Sequence, residues 1–116
     1  PKMKLADFLE CNNLIQIGAI SKLTITKRGK SNPEIILNLE DKEKISTFLD
    51  EFSTVKNDMQ FVTMMAPPYD LILEASDFNS LLIGILPEVK SFRIPDQGTD
   101  IEFEQDFLTI LKKYPN

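Results

Sequence analysis

The 116-residue sequence contains no histidine and no tryptophan, and its single cysteine is Cys11. Without histidine, the chain cannot form a Ser-His-Asp or Cys-His nucleophile, and it cannot bind a metal through imidazole. With one cysteine, it cannot form an internal disulfide or a thiolate metal cage. We therefore expect that the protein is not an enzyme, that it has no catalytic residues, and that it uses neither a cofactor nor a metal ion.

Glycine is also scarce, and the common phosphate- and calcium-binding motifs are missing from the sequence. The four glycines form neither a GxGxxG nor a GxxxxGK motif. Carboxylates recur between Asp96 and Asp106, but the positions where an EF-hand needs Gly and Glu hold Ile101 and Phe107. We interpret these carboxylates as the start of a capped helix, where the helix dipole favours negative charge.

The net charge of −5 disfavours nucleic acid as a partner, because binding to phosphates depends on Lys and Arg. This charge is unevenly distributed along the chain. Residues 1–30 carry +4, with six Lys/Arg and two Asp/Glu, whereas the remaining residues carry −9. The basic segment could contact an acidic partner or an anionic membrane surface. Alternatively, its lysines protect an edge strand from aggregation.

Long apolar runs are missing as well. No segment approaches the roughly 20 apolar residues of a membrane span, so we expect membrane contact only through a lipid anchor or a segment absent from this chain. Cys11 does not fit a lipid-attachment site, because signal peptidase requires small residues where Phe8-Leu9-Glu10 stands. The composition, 42% hydrophobic and 27% charged, predicts one globular domain over residues 1–116. The sequence leaves the oligomeric state open.

Alternating and helical spacing predict an α+β fold, with an antiparallel β-sheet and two amphipathic helices on one face, in the order ββαβ(β)ββα. Residues 1–13 are expected to form an N-terminal arm or a short helix. One helix follows its cap Asp41 and runs to about Ser53, and a second runs from the capping box Thr99-x-x-Glu102 to Tyr114. Strands are predicted at residues 14–27, 34–39, 59–65, 69–74, 81–86 and 89–94.

Two of these strands carry more detailed expectations. On strand 34–39, Ile35, Leu37 and Leu39 are expected to face inward. Strand 81–86 is almost entirely apolar, which predicts burial on both faces. It contains Gly84, a position at which a neighbouring segment can approach closely.

One segment is a candidate binding site, and its residues are Met64, Met65, Pro67, Pro68, Tyr69 and Asp70. Methionine adapts to varied partners and proline holds an extended backbone at low entropic cost, so an exposed Met/Pro/Tyr ridge would suit a protein partner. The alternative is structural. In that interpretation the methionines fill gaps between sheet and helix, and the prolines end an edge strand.

The ten residues from Met64 to Leu73, MMAPPYDLIL, resemble a segment of the YhfM-like domain. Lipoproteins of Bacillus-type Gram-positive bacteria carry this small domain, in which a Met-Ala-x-Pro-x-Tyr-Asp-Leu-like segment follows the first helix. By element order, the resemblance spans residues 19–114. It implies an extracytoplasmic, membrane-anchored location but no mechanism. The family has a tryptophan in the following strand, whereas residues 81–86 of this chain contain no aromatic residue.

The sequence supports two functional hypotheses. The first is a non-catalytic domain that binds a protein partner, in the extracytoplasmic part of a Gram-positive envelope lipoprotein, as the resemblance implies. The alternative is a small acidic cytoplasmic protein of the immunity or inhibitor type, which uses its net charge of −5 to bind a basic partner. A third class, an enzyme using carboxylates or a divalent metal, is disfavoured by the missing residue types.

Overall fold

A computed structural model of the chain describes residues 2–55, 65–94 and 99–115. Within these ranges the chain forms an antiparallel sheet of eight strands with three α-helices, which confirms the predicted α+β class. The helices are α1 (Leu5–Cys11), α2 (Lys42–Asp50) and α3 (Phe107–Leu111). The strands are β1 (Lys2–Lys4), β2 (Ile20–Lys27), β3 (Glu34–Leu39), β4 (Ser53–Val55), β5 (Tyr69–Ala75), β6 (Ser80–Leu86), β7 (Ser91–Ile94) and β8 (Thr99–Phe103).

The strands lie in the order β1-β4-β8-β7-β6-β5-β2-β3, and each pairs antiparallel with its neighbours. The four strands from β5 to β8 are consecutive in the chain and form the middle of the sheet. The β2–β3 hairpin adds on one side through β2, and β4 with β1 adds on the other. Lys2 and Lys4 therefore lie on the terminal strand, whereas Lys22 and Lys27 lie on the internal strand β2.

Helix α2 forms as the sequence predicts. The Asp41 carboxylate accepts a hydrogen bond from the Glu43 amide at 2.8 Å and so caps the first turn. Ile45, Phe48 and Leu49 are buried, as their helical spacing indicates. The helix ends before Phe52, which is also buried and continues the apolar surface into the core.

The prediction that a helix begins at Thr99 is wrong. Residues Thr99–Phe103 form β8, and the last helix begins only at Phe107, after its cap Asp106. Strand pairing with β7 prevails over the local capping signal because it buries Phe103, whose ring stacks on Phe92 at a centroid distance of 4.3 Å. Asp106 provides the cap instead, accepting a hydrogen bond from the Thr109 amide at 3.1 Å.

Three expectations about the strands are also corrected. The first long strand begins at Ile20, because residues Ile17–Ala19 form a 3₁₀ turn. Ile35 does not face inward and is 63% exposed, since the β2–β3 ladder skips Ile36 in a bulge and shifts the register. Strand β6 is not buried on both faces, because Leu82 is 46% exposed.

Several boundaries differ from the prediction. Strand β4, residues Ser53–Val55, was not predicted. The predicted strand 59–65 lies outside the described residues except for Met65, which is not in a strand. Residues Pro87–Val89 form a 3₁₀ turn before β7. The N-terminal segment contains α1, whose Leu5 and Leu9 are buried in the core.

The close approach expected at Gly84 is confirmed. A Cβ atom at this position would lie 2.5 Å from Pro67 Cγ and 2.9 Å from Pro67 Cβ. Pro67 is buried, so neighbouring residues restrict the movement of its ring away from residue 84. Because glycine has no side chain, the segment before β5 can pack directly against the sheet at residue 84.

We expect the Gly84→Ala variant to be about 1–3 kcal/mol less stable than the wild type, because the added methyl group overlaps the Pro67 ring. Chemical denaturation measures the difference. Gly18→Ala is the matched control, since a Cβ at residue 18 meets nothing within 4 Å. Equal stability of the two variants would contradict the proposed role of Gly84.

The C-terminal segment is held to the end of α2 by Glu51. Its carboxylate accepts hydrogen bonds from Tyr114 Oη at 2.7 Å and from Lys113 Nζ at 2.8 Å. Burial acts to raise the pKa of Glu51, but the bonds from Lys113 and Tyr114 outweigh it and lower the pKa below its ordinary value of 4.5. Burial and the bond to Glu51 raise the pKa of Tyr114 far above its ordinary value of 10.0.

These shifts predict a pH window for the contribution of Tyr114 to stability. The lowered pKa of Glu51 gives stability that is present above about pH 4.5 and is lost as the pH falls through the folded-state value. The raised pKa of Tyr114 gives stability that is present below about pH 10 and is lost at higher pH. We expect Tyr114→Phe to cost about 1 kcal/mol inside this window, and less on either side.

Denaturation curves recorded across this pH range provide the measurement. Tyr69→Phe is the control, since it makes the same chemical change at the chain's other tyrosine. A difference between Tyr114→Phe and wild type that stays constant from acid to alkaline pH would contradict the role of the Tyr114–Glu51 bond.

Candidate ligand-binding site

The predicted binding segment is partly exposed and partly built into the fold. Met64 lies outside the described residues, and Met65 is 41% exposed. Pro67 is buried against Gly84, while Pro68 is half-buried. The Tyr69 ring packs against Phe107 at a centroid distance of 5.0 Å, at the edge of the core. The interpretation of this segment as a partner-binding ridge stays a prediction.

Two arginines attach the same segment to the sheet. Arg28 donates from its guanidinium to both carboxylate oxygens of Asp70, at 3.2 and 3.3 Å, and from its amide to the Pro68 carbonyl at 2.9 Å. Arg93 donates to the Met65 carbonyl at 2.9 Å while it pairs with Asp100 at 2.8 and 3.1 Å. Asp70 is therefore a structural partner of Arg28 in the described chain.

The carboxylates of the C-terminal acidic stretch also have structural partners where the structure describes them. Asp100 pairs with Arg93, Glu104 with Lys2 at 2.9 Å, and Asp106 caps α3. The described residues contain no group of three or more His, Cys, Asp or Glu that could hold a metal ion. In the same part of the chain, no helix has the length and apolar character needed to cross a membrane.

The turn between β5 and β6 presents a fully exposed aromatic side chain. Phe78 is 99% exposed, and its backbone has φ = 70°, in the left-handed region that residues other than Gly and Asn rarely adopt. The turn closes through hydrogen bonds from the Phe78 amide to the Ala75 carbonyl at 3.1 Å and from the Ala75 amide to the Asn79 carbonyl at 2.8 Å. Phe78 is thus displayed at the tip of an ordered hairpin.

Additional bonds fix the position of this turn. The Ser76 amide donates to the Ala19 carbonyl at 2.8 Å, which ties the turn to the start of β2. The Asp77 carboxylate accepts from the Asn79 amide at 3.2 Å and from the Asn79 side-chain amide at 2.9 Å. Asp77 and Asn79 therefore brace the backbone on both sides of Phe78.

Packing gives no reason for a phenylalanine at residue 78. The left-handed conformation costs a residue with a Cβ roughly 1 kcal/mol relative to glycine. The exposed ring gains nothing from burial, since it remains in water. A small residue such as Gly or Asn would suit the turn better on both counts.

A cleft of about 340 Å³ lies between the connection after α1 and the turn that joins β5 to β6. Its volume is at the lower end of the roughly 300–1,000 Å³ of ligand pockets. Two of its lining residues, Asp77 and Asn79, flank Phe78 in the chain, but Phe78 itself is not part of the lining. The full lining comprises Asn13, Leu14, Ile15, Gln16, Ala19, Ala75, Asp77, Asn79 and Ser80.

Five of the nine lining residues are polar, and they come from two separate parts of the chain. Asn13 and Gln16 lie in the connection after α1, where Asn13 has φ = 55°. Asp77, Asn79 and Ser80 belong to the β5–β6 hairpin. The bond from Ser76 to Ala19 holds these two parts together.

The sequence analysis did not identify Phe78 or this cleft. The signal was an aromatic residue at the third position of Ser76-Asp77-Phe78-Asn79, where a turn of this kind favours Gly or Asn. The convergence of residues 13–16 with residues 77–80 is not visible in the sequence, because it depends on the pairing of β2 with β5.

Comparison of the chain with protein-family models, with curated protein sequences and with solved structures finds no match. The function must therefore be inferred from the site itself.

The unusual backbone of Phe78 predicts a stability effect that runs against the usual direction of mutation. We expect Phe78→Gly to be about 1 kcal/mol more stable than the wild type, because glycine adopts positive φ without steric cost. Phe78→Ala is the matched control: it removes the ring but keeps the Cβ, so its stability should stay near that of the wild type. Urea denaturation measures both, and a destabilised Phe78→Gly variant would mean that the ring contributes to folding.

Proposed function

We propose that this protein is a non-catalytic binding domain whose binding surface is centred on Phe78 and extends to the cleft lined by its chain neighbours Asp77 and Asn79. The observation that carries the proposal is the 99% exposed ring of Phe78, held on a left-handed backbone. Exposed aromatic residues are typical anchors of binding surfaces, because they bury a large apolar area with few rotatable bonds.

The hydrogen bonds that hold the turn in one conformation support the same proposal. The backbone of residues 75–79 is closed by hydrogen bonds, and the Asp77–Asn79 pair braces it. A surface that is ordered before it binds loses less conformational entropy on association. The left-handed backbone of Phe78 is a further sign, because strain of this kind is typical of functional turns.

We also infer that the helices cover one face of the sheet, as the sequence predicts. In support, the ring of Phe48 from α2 lies 5.2 Å from that of Tyr114, which follows α3. The ring of Phe107, the first residue of α3, packs against Tyr69 of β5. Phe78 takes no part in this core and lies at the end of the sheet.

The location of the protein is part of the proposal. The resemblance of residues 64–73 to the YhfM-like domain supports an extracytoplasmic, membrane-anchored role in a Gram-positive envelope. The net charge of −5 supports the alternative of a cytoplasmic inhibitor of a basic partner. Binding at Phe78 is compatible with both.

Site-specific photo-crosslinking tests the proposal. A benzoylphenylalanine placed at residue 78 of the full-length protein, in cells of its source organism, should give discrete crosslinked products upon irradiation. The ring substitution is conservative, since the native residue is phenylalanine. Residue 108 serves as the matched control position, because Leu108 is an exposed apolar residue, 45% accessible, on a different element.

We expect the crosslinked products at residue 78 to be absent at residue 108. Excess unlabelled wild-type protein should suppress them by competition, whereas excess Phe78→Ala protein should not. The same diffuse background at both positions, or suppression by either competitor, would show that Phe78 is not the centre of a binding surface.

A further inference from the structure

We propose that the tip of the β2–β3 hairpin is a peripheral membrane-binding surface that docks on bilayers containing anionic phospholipids. The tip comprises residues 27–35, all of which are exposed. The Phe78 turn lies at the other end of β2, because the Ser76 amide donates to the carbonyl of Ala19, the residue before β2. The two surfaces are therefore separate, and each can bind without the other.

The tip carries positive charge on an otherwise acidic chain. Its basic residues are Lys27, Arg28 and Lys30, and its one acidic residue is Glu34. Residues 27–35 therefore carry +2, whereas the rest of the chain carries −7. An anionic surface attracts the tip and repels the remainder, so it orients the molecule with the tip toward the surface.

The fold separates the tip from the other basic residues of the N-terminal segment. Lys2 and Lys4 lie on the terminal strand β1, on the far side of the sheet order. Lys22 lies opposite Glu74 in the β2–β5 ladder. The last three basic residues of the segment are therefore the ones that share a single surface.

Arg28 remains available to an anion although it is paired. Its guanidinium donates to both carboxylate oxygens of Asp70, at 3.2 and 3.3 Å. The Arg28 side chain is nevertheless 48% exposed, whereas that of Asp70 is 16% exposed. The guanidinium thus covers its counter-ion and presents its remaining N–H donors to solvent, where a lipid phosphate can accept them.

A β-bulge places an exposed isoleucine beside these cations. With regular pairing Ile35 would face inward, but a register shift pairs it with Thr26 and leaves it 63% exposed. Thr26 in turn lies opposite Asp70, so the backbone of Ile35 is about 10 Å from that of the partner of Arg28. A cationic surface with a projecting apolar side chain is typical of interfacial membrane anchors.

The shape of the tip favours a bilayer over an acidic protein. Nine consecutive exposed residues form a projection, and the cleft of about 340 Å³ lies at the other end of β2. Lipid headgroups rearrange around a projecting side chain, whereas a protein partner must supply a pocket for Ile35.

The net charge of the chain does not prevent this contact. Strand β2 has eight residues and spans about 25 Å, which exceeds the Debye length of about 10 Å at 0.1 M salt. Charges at the far end of the strand are therefore screened when the tip meets a surface. The contact is weak and reversible, since stable anchoring requires a second signal. It adds to the anchor expected from the sequence and does not replace it.

Tryptophan fluorescence tests the proposal, because the chain has no tryptophan of its own. The Ile35→Trp variant is titrated with vesicles of phosphatidylglycerol and phosphatidylcholine, and separately with vesicles of phosphatidylcholine alone. We expect the emission to shift to the blue with the anionic vesicles only, and the shift to disappear at about 1 M salt. Phe78→Trp is the matched control, since it places the same probe at an exposed position beyond the other end of β2 and should show no shift.

Cosedimentation of the wild-type protein and its variants with the same anionic vesicles assigns the roles of the side chains. Lys27→Gln and Lys30→Gln should each weaken binding about fivefold, through loss of one cation near the surface. Ile35→Ser should weaken it about tenfold, through loss of apolar burial. Lys44→Gln is the matched control, because it removes an exposed lysine of α2 and should leave binding unchanged.

Several results would overturn the proposal: a blue shift with both tryptophan variants, a shift with neutral vesicles, no shift at all, or an equal loss of binding in Lys44→Gln. Polyglutamate is the competing probe. If it binds the tip more tightly than the anionic vesicles do, the tip is a docking site for an acidic protein and the lipid assignment is wrong. None of these results affects the Phe78 surface, which the crosslinking experiment tests separately.

Discussion

The structure depends on the burial of Phe52, which lies between α2 and β4. Its ring contacts those of Phe48, Phe92 and Phe103 at centroid distances of 5.2–5.4 Å, and its carbonyl accepts a hydrogen bond from the Leu5 amide at 2.9 Å. Phe52 thus connects α1 and α2 with strands β7 and β8. Edge-to-face packing of aromatic rings adds directional contacts to the burial of apolar area.

The candidate site lies outside this aromatic cluster and carries structural costs that the rest of the domain offsets. Phe78 has a left-handed backbone, which is unfavourable for folding, and an exposed ring that gains nothing from burial. The long ladders between β2, β5 and β6 hold the hairpin that ends at this turn. The sheet can therefore hold a residue whose backbone conformation is locally unfavourable.

The sequence predicted some features correctly because each depends on neighbouring residues. Asp41 caps α2 through an amide two residues away, and the spacing of Ile45, Phe48 and Leu49 forms one buried face. The helix predicted at Thr99 was wrong because an equally local signal competed with strand pairing, and the burial of Phe103 decided between them. Local patterns predict structure only where no distant partner offers a larger gain.

The sequence by itself determined the α+β class, the position of α2 and the residue types on which chemistry could rest, and it allowed a close approach at Gly84. Only the tertiary structure decided which segments meet. The pairing of β2 with β5 and the Ser76–Ala19 bond bring Asn13 and Gln16 to the hairpin that carries Phe78. The positive φ of Phe78 likewise follows from the closure of the turn, because the hydrogen bonds of Ala75 with Phe78 and Asn79 set the backbone that lies between them.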